Sequence, residues 1–258
     1  MNEKNLIEYY NKFNEDKRFN ARRGKVEFII TMTYIKKYLE EFKNPKILDI
    51  GAGTGNYSIP LADLGYDVTA LDLVKHNIKT LEAKTDKVKT MVGNAINLQK
   101  IADETFDMVL LLGPMYHLIT ENERIKALNE AKRVLKENGI IIVAYIMNEY
   151  AIITHGFKNN NIIESIKDKL VDNSFKITPK TNDLYNYSRI EDINNLNKTL
   201  KLKRQKIVAV DGPTNYMRKE LNGMDDETFE KFIEYNLSIC ERYELLGASA
   251  HVIDILKK

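Results

Sequence analysis

Residues 47–55 read Ile47-Leu48-Asp49-Ile50-Gly51-Ala52-Gly53-Thr54-Gly55, an apolar segment that runs into three alternating glycines. The apolar part is typical of a buried parallel strand, and the glycines predict a tight turn that leads into a helix. Such a turn lets the backbone pass close to a ligand, because no Cβ stands in the way. A second acid, Asp72, ends the next apolar segment, where its carboxylate suits the hydroxyls of a ribose. We therefore predict a site for a cofactor that contains a nucleoside.

The glycine spacing discriminates between nucleoside cofactors. A dinucleotide-binding turn follows G-x-G-x-x-G and receives a pyrophosphate. Here the pattern is D-x-G-x-G-x-G, so the third glycine comes one residue early and Asp49 lies inside the motif. A carboxylate there repels a pyrophosphate but attracts a cation. The motif favours a cofactor without phosphate and with a positively charged amino-acid part; the alternative is a turn whose glycines serve packing alone.

The segment from Asp49 to Gly55 resembles the glycine-rich motif of class I S-adenosylmethionine-dependent methyltransferases. In that family the loop packs against the methionine part of the cofactor, and an acid after the next strand binds the ribose. The resemblance implies S-adenosylmethionine as cofactor and S-adenosylhomocysteine as product. The cofactor-binding residues that we expect are Asp49, Gly51, Ala52, Gly53, Asp72, Leu73, Asn94, Ala95 and Leu112.

Asn94 lies in a Gly-Asn-Ala segment where the family often has Gly-Asp-Ala. In relatives, that acid hydrogen-bonds the amino group of adenine. The side-chain oxygen of Asn94 can accept the same bond, although as a neutral rather than a charged acceptor. The alternative is an asparagine that only shapes a turn.

The candidate catalytic residues, Tyr116 and His117, follow the fourth predicted strand. Ligands bind beyond the carboxyl ends of the strands in an open α/β sheet, so this segment should face the methyl group. The imidazole of His117 could remove a proton from an acceptor hydroxyl or amine, and Tyr116 could contact the sulfonium through its ring. The alternative for His117 is a histidine that caps a helix or packs under a loop.

Two signatures of macromolecule methylation are missing. The chain has no [ND]-P-P-[YF] motif, which is typical of amide and adenine amino methylation, and no Pro-Cys pair for attack on cytosine. Cys240, His76 and His251 are expected to be structural, with His251 in the core or at the edge of the last strand. His155 is a weaker catalytic candidate in a variable segment.

Length, composition, net charge and cysteine count limit the classes of protein to which this chain can belong. The chain has 258 residues, of which 43% are hydrophobic and 29% are charged, as expected for one globular α/β domain. A formal net charge of +2 argues against a nucleic-acid partner. The single cysteine allows no internal disulfide and no cysteine-based zinc site, and we expect no metal. Without an apolar run near 18 residues or a secretory segment, we expect no membrane partner and a bacterial cytoplasmic location.

Periodicity predicts five βα units. The strands are expected at 46–50, 67–72, 87–92, 106–112 and 140–146, which predicts a doubly wound parallel sheet. Further strands at 203–210 and 250–256 match the seven-stranded methyltransferase sheet, whose last strand is antiparallel. Within a single domain, 1–258, we expect an N-terminal helical cap at 1–44, ended by Asn44-Pro45, and a lid or substrate segment at 148–200.

The N-terminal segment interleaves aromatic and basic side chains. Such interleaving can bind RNA, or it can cap a cofactor pocket. The small net charge favours the cap. The residues concerned are Tyr9, Tyr10, Phe13, Arg18, Phe19, Arg22 and Arg23.

Nearly the whole chain resembles a bacterial branch of small class I methyltransferases that carries a Gly-Pro-Met-Tyr-His-Leu segment, here 113–118. We therefore predict methyl transfer to a small-molecule acceptor by in-line displacement. The alternatives are an RNA or protein methyltransferase, or a non-catalytic sensor of S-adenosylmethionine. A nicotinamide oxidoreductase is disfavoured by Asp49 and by the glycine spacing.

Overall fold

Seven strands form one sheet in the computed structural model, which describes residues 3–11 and 21–258. Phe13, Arg18 and Phe19 of the aromatic–basic segment lie outside these residues. The strands are β1 (Lys46–Ile50), β2 (Asp67–Asp72), β3 (Lys89–Val92), β4 (Phe106–Leu111), β5 (Leu135–Ile146), β6 (Lys203–Ala209) and β7 (His251–Lys257). Their order in the sheet is β3-β2-β1-β4-β5-β7-β6.

The pairing confirms the predicted sheet. Strands β1 to β5 pair in parallel, while β7 runs antiparallel to both β5 and β6. The strand order reverses between β1 and β4, and the crevice at such a switch point is where open α/β sheets bind ligands. The glycine-rich segment follows β1 at this position.

Helices cover both faces of the sheet. Those longer than four residues are α1 (Glu3–Tyr10), α2 (Arg22–Leu39), α3 (Ser58–Asp63), α4 (Lys75–Lys84), α5 (Glu121–Val134), α7 (Ile162–Lys167), α8 (Ile190–Leu200), α9 (Arg218–Gly223) and α10 (Asp226–Ile239). A short helix α6 (Asn148–Ala151) continues into a π-helical segment, Ile152–Lys158. One core lies between the sheet and α5 and α8, and the other lies between the sheet and α2, α3 and α10. Burial on both faces explains why β1 and β4 are almost continuously apolar.

Three predicted helix ends are wrong. Helix α2 ends at Leu39, ahead of Asn44-Pro45. The sequence predicts a second helix over about 226–243, but α10 ends at Ile239. The sequence predicts that the helix after β4 is ended by Gly139, but α5 ends at Val134, because Leu135 already pairs with Phe106 as the start of β5.

Gly139 serves the strand and not the helix end. The pairing of β4 with β5 shifts register beyond Phe106, so that Met108 pairs with Ile140. A Cβ on Gly139 would lie 2.6 Å from Leu135 Cγ, so the chain needs glycine for this close approach.

The segment between β5 and β6 is irregular between α7 and α8. The part of this segment that precedes α8 passes beside the end of β5. There Ser188 N donates to Ile146 O at 2.8 Å, and Asn186 N donates to Tyr116 O. The sequence Ser188-x-x-Glu191 resembles a capping box, but α8 begins at Ile190, and Asp192 accepts from the Arg189 amide at 2.9 Å. Among the described residues, no helix is both long and apolar enough to cross a membrane.

Candidate functional site

A cavity of about 280 Å³ opens at the carboxyl ends of the central strands. Every residue that the sequence assigned to the site contributes to its wall. They are Asp49, Gly51, Ala52, Gly53, Asp72, Leu73, Asn94, Ala95, Leu112, Tyr116 and His117. The structure thus brings the candidate residues together, while their individual roles stay predictions.

The glycine loop is held under the segment that follows β4. The amides of Gly51 and Ala52 both donate to Leu71 O, at 2.7 and 3.1 Å, which ties the loop to β2. Gly51 has φ +75°, and a Cβ there would lie 2.6 Å from Cδ of Pro114. Only glycine combines this left-handed backbone with this close approach, so Gly51 lets the loop pack directly against Pro114.

Asp72 organises the same loop from the end of β2. One carboxylate oxygen accepts from Gly53 N at 2.8 Å, and the other accepts from Val74 N at 2.7 Å and Asn77 Nδ2 at 3.2 Å. Burial raises the pKa of Asp72 above its ordinary value, and these hydrogen bonds offset only part of that rise. Asp72, the residue that we expect to bind the ribose, therefore also holds the glycine loop at Gly53 and the segment after β2 at Val74.

Asp49 is a buried carboxylate with one hydrogen-bonding side chain. It is 2% exposed, and Ser58 Oγ donates to its Oδ2 at 2.6 Å. Burial raises the pKa of Asp49 to about 6, the hydroxyl of Ser58 lowers it, and the charge of Asp72 raises it further. Two buried acids on one cavity wall make this region favourable for a cation.

Asn94 makes the contacts of a turn residue. Its side-chain oxygen accepts from Ile96 N at 3.1 Å, and its side-chain nitrogen donates to Glu3 Oε1 at 2.7 Å. The bond to Glu3 joins α1 to the end of β3. The carbonyl oxygen has a second lone pair, so recognition of adenine by Asn94 stays a prediction.

His117 is buried beneath the N-terminal helix. Nδ1 lies 2.7 Å from Leu184 O, and Nε2 lies 2.9 Å from the hydroxyl of Tyr10. Since a carbonyl can only accept, Nδ1 carries the proton and Nε2 accepts from Tyr10. Burial lowers the pKa of His117 to about 4, against the opposing effect of the Leu184 bond. His117 thus links α1 and the segment before α8 to the cavity, and its role as a base stays a prediction.

We expect His117 to make the fold sensitive to acid. Its folded pKa lies below the unfolded value near 6.5, so its contribution is present above pH 6.5 and is lost as the pH falls to about 4. The shift corresponds to at most ~3 kcal/mol in the free energy of unfolding. Urea unfolding of wild type and His117→Gln between pH 4 and 7 measures this effect. Parallel pH profiles for the two proteins would contradict the assignment.

A second histidine, His251, reaches the cavity, which the sequence did not predict. His251 was expected in the core or at an edge, but its side chain lines the cavity and Nδ1 lies 2.7 Å from Asp211 Oδ2. Glu27 Oε2 lies 4.0 Å from the same nitrogen. The signal was available: Asp211 follows β6 and His251 begins β7, so antiparallel pairing places them at one edge of the sheet.

The other singled-out residues lie elsewhere. His76 is exposed at the start of α4, and His155 is exposed in the π-helical segment; neither lines the cavity. Cys240 is buried, as predicted, and its sulfur lies 3.3 Å from the hydroxyl of Tyr34.

Comparison with known proteins agrees with this geometry. A family model described as a methyltransferase domain matches residues 48–143. A glycine/sarcosine N-methyltransferase of Aphanothece halophytica is 35% identical over 130 residues, covering 48% of this chain and 49% of that protein. A ubiquinone biosynthesis O-methyltransferase of Rickettsia typhi is 30% identical over 161 residues, covering 57% and 61%. The chain therefore matches only about half of the length of these relatives.

Solved structures show the same fold. A protein from Pyrococcus horikoshii superposes with a TM-score of 0.60 at 18% identity, over 97% of this chain and 98% of the other. A methyltransferase from Methanosarcina mazei gives 0.58 at 18% identity, over 87% and 96%.

The strand order, the glycine loop at the switch point and the cavity beside it define a Rossmann-like α/β protein of the methyltransferase type. Residues 48–143 match a methyltransferase domain, and over about half of its length the chain is similar to named methyltransferases.

Proposed function

We propose that this protein transfers the methyl group of S-adenosylmethionine to a small-molecule acceptor by in-line displacement. The observation that carries the proposal is one continuous cavity. It runs along one edge of the sheet, from the glycine loop and Asp72 to polar residues beside β6 and β7. Asn215, Arg218 and His251 lie at that far end. One cavity can therefore bring donor and acceptor together, which supplies the proximity that methyl transfer requires.

The residues of the near end fit the donor. Gly51, Ala52 and Gly53 line the cavity where the methionine part would lie, and the buried carboxylate of Asp49 favours its positive charge. The bound donor supplies an electrophilic methyl group on a sulfonium. The chain then has to align the acceptor and exclude water, which the enclosed cavity favours.

The N-terminal helices support a small acceptor. Tyr10 contacts His117, and Tyr9 lies 3.1 Å from the hydroxyl of Tyr185. These aromatic rings pack over the cavity, and Arg22 donates to Leu221 O at 2.9 Å instead of forming an open basic face. We propose that residues 1–44 form a cap and that residues 148–200 contribute a lid or acceptor segment.

The names of curated relatives point the same way. Those relatives are named for glycine and sarcosine, for demethylmenaquinone and for ubiquinone biosynthesis, all of them small-molecule chemistry. They include both N- and O-methyltransferases, so the proposal extends to a small molecule with an amine or hydroxyl acceptor.

Calorimetry with S-adenosylmethionine, S-adenosylhomocysteine and NAD, each added separately, tests the cofactor. We expect micromolar binding of the first two and none of NAD; binding of NAD alone would overturn the proposal. Radiolabelled methyl transfer to a small-molecule extract and to total RNA then tests the acceptor. Label in RNA with a steep salt dependence would favour the RNA alternative. Tight binding without label in any fraction would favour a sensor.

A further inference from the structure

The pair formed by His251 and Asp211 has the geometry of a proton acceptor. Asp211 is 0% exposed, and its Oδ1 accepts from Ser249 Oγ at 2.5 Å and from the His251 amide at 3.0 Å. Its Oδ2 faces Nδ1 of His251 at 2.7 Å. The carboxylate is thus fixed by the backbone of the strand that carries the histidine, and it orients the imidazole.

The partner of Nδ1 sets the tautomer of His251. Burial on its own would raise the pKa of Asp211, but the charge of His251 and the hydrogen bonds from His251 and Ser249 together lower it. An ionised carboxylate only accepts, so Nδ1 of His251 carries the proton and Nε2 is the basic nitrogen.

The position of His251 relative to the glycine loop fits the part of the cavity that would hold the acceptor. The predicted ribose and adenine residues follow β2 and β3, whereas His251 begins β7, on the other side of β1 in the sheet. Between them lies Tyr116, whose ring centroid is 5.7 Å from that of His251. Tyr116 belongs to the segment that packs on Gly51 through Pro114.

We propose that His251, oriented by Asp211, removes the proton from the attacking hydroxyl or amine of the acceptor. This inference rests on the proposed methyl transfer. The acceptor X–H bond breaks and its proton moves to Nε2, while a lone pair on X forms the bond to the methyl carbon. The C–S bond breaks, its electrons stay on the neutral thioether, and the imidazolium later releases the proton to water. His251 is the catalytic residue of this step, and Asp211 is a positioning residue.

Other ionisable groups face His251. Glu27 comes from α2, Asp211 from the turn after β6, and Tyr116 from the segment after β4. Glu27, Asp211 and His251 also offer ligand atoms within 4.8 Å of one another, which a divalent metal could share. The Nδ1–Oδ2 distance of 2.7 Å is that of a hydrogen bond, so we place a proton between these atoms and make the metal an outcome of the test.

The first experiment compares methyl transfer by wild type, His251→Gln and Asp211→Asn. The probes are glycine as an amine and catechol as a hydroxyl acceptor, together with a small-molecule extract; His76→Gln is the matched control on an exposed histidine. We expect kcat to fall about 10²–10⁴-fold in His251→Gln, with the Kd for S-adenosylmethionine within about twofold of wild type. Asp211→Asn should lower kcat about tenfold or more, because an amide no longer fixes the tautomer.

The pH profile separates a catalytic from a structural role. In wild type, log kcat/KM should rise with pH along a limb of unit slope, and this limb should be absent in His251→Gln. Wild-type turnover that is retained in His251→Gln overturns the inference and leaves the proposed function intact. Wild-type turnover that EDTA abolishes overturns it in favour of a metal. A wild type that binds no S-adenosylmethionine overturns both proposals.

A second measurement needs no acceptor. Long-range ¹H–¹⁵N NMR of wild type at pH 8, with His251 assigned by its loss in His251→Gln, reports which ring nitrogen carries the proton. We expect the Nδ1–H tautomer in wild type. An Nε2–H tautomer in wild type overturns the inference even if no acceptor is found.

Discussion

Asp49→Asn is expected to make the ligand-free protein more stable at pH 7 while abolishing its binding of S-adenosylmethionine. Burial raises the pKa of this carboxyl to about 6, so ionised Asp49 destabilises the fold relative to the unfolded chain. The shift corresponds to at most ~3 kcal/mol, and the amide gives up part of that gain because its own NH₂ needs acceptors. The same substitution removes a charge that favours the cationic part of the donor.

The sign of the pH dependence identifies the cause. A carboxyl whose folded pKa is raised stabilises the protein below its unfolded pKa near 4, and this contribution is lost as the pH rises through about 6. Urea unfolding should therefore give similar stabilities for wild type and Asp49→Asn at pH 4 and a more stable variant at pH 7. Equal stability at pH 7 would contradict the assignment.

Ser58→Ala is the matched control for Asp49. It keeps the carboxylate but removes the hydroxyl that donates at 2.6 Å, so it should lower stability at pH 7, opposite to Asp49→Asn. The wild-type profile alone is a poor test, because His117 titrates over an overlapping range with the opposite sign. In Asp49→Asn the pH dependence of the free energy of unfolding should show the contribution of His117, and in His117→Gln it should show that of Asp49.

The sequence could predict which residues meet at the glycine-loop side of the cavity because the signals for them are local. The glycine loop, Asp72 and Asn94 each follow a strand directly, and parallel strands bring their carboxyl ends to one edge. To bring these residues together, the prediction therefore needed only the order of the strands. The alternation of apolar segments and helices along the sequence supplies that order. The seven-stranded order with an antiparallel β7 came with the family resemblance.

The acceptor end could not be predicted in the same way because it depends on distant contacts. Tyr10 and His117 are 107 positions apart, and Asp211 and His251 are 40 apart. Neither pair has a signal within its own segment; for Asp211 and His251 the available signal is the antiparallel pairing of the two strands beside them. The register of β6 against β7 is what brings Asp211 and His251 together. The position of α1 is what places the hydroxyl of Tyr10 against Nε2 of His117.

Asp72→Ala is expected to weaken the binding of S-adenosylmethionine about 10- to 100-fold and to lower the free energy of unfolding by ~1–3 kcal/mol. The stability loss follows because the amides of Gly53 and Val74 lose the carboxylate that accepts from both. The affinity loss has two sources, a disordered glycine loop and a missing ribose ligand. Calorimetry and urea unfolding of the same preparation measure both quantities.

Asn77→Ala serves as the control for the loop. It removes only the longest of the three bonds to Asp72, at 3.2 Å, and leaves the carboxylate in place. Its affinity for S-adenosylmethionine should stay within about threefold of wild type, since a single neutral hydrogen bond contributes little.

A double-mutant cycle with a modified ligand separates the two sources of the affinity loss. If Asp72 binds the ribose, removing the 2′-hydroxyl from S-adenosylhomocysteine should cost affinity in wild type but almost none in Asp72→Ala. If Asp72 only supports the loop, the same ligand change should cost both proteins equally. An equal cost would reject the ribose contact while leaving the loop role intact. The carboxylate already accepts three protein hydrogen bonds, so a ribose contact must use its remaining lone-pair capacity, and the cycle measures whether it does.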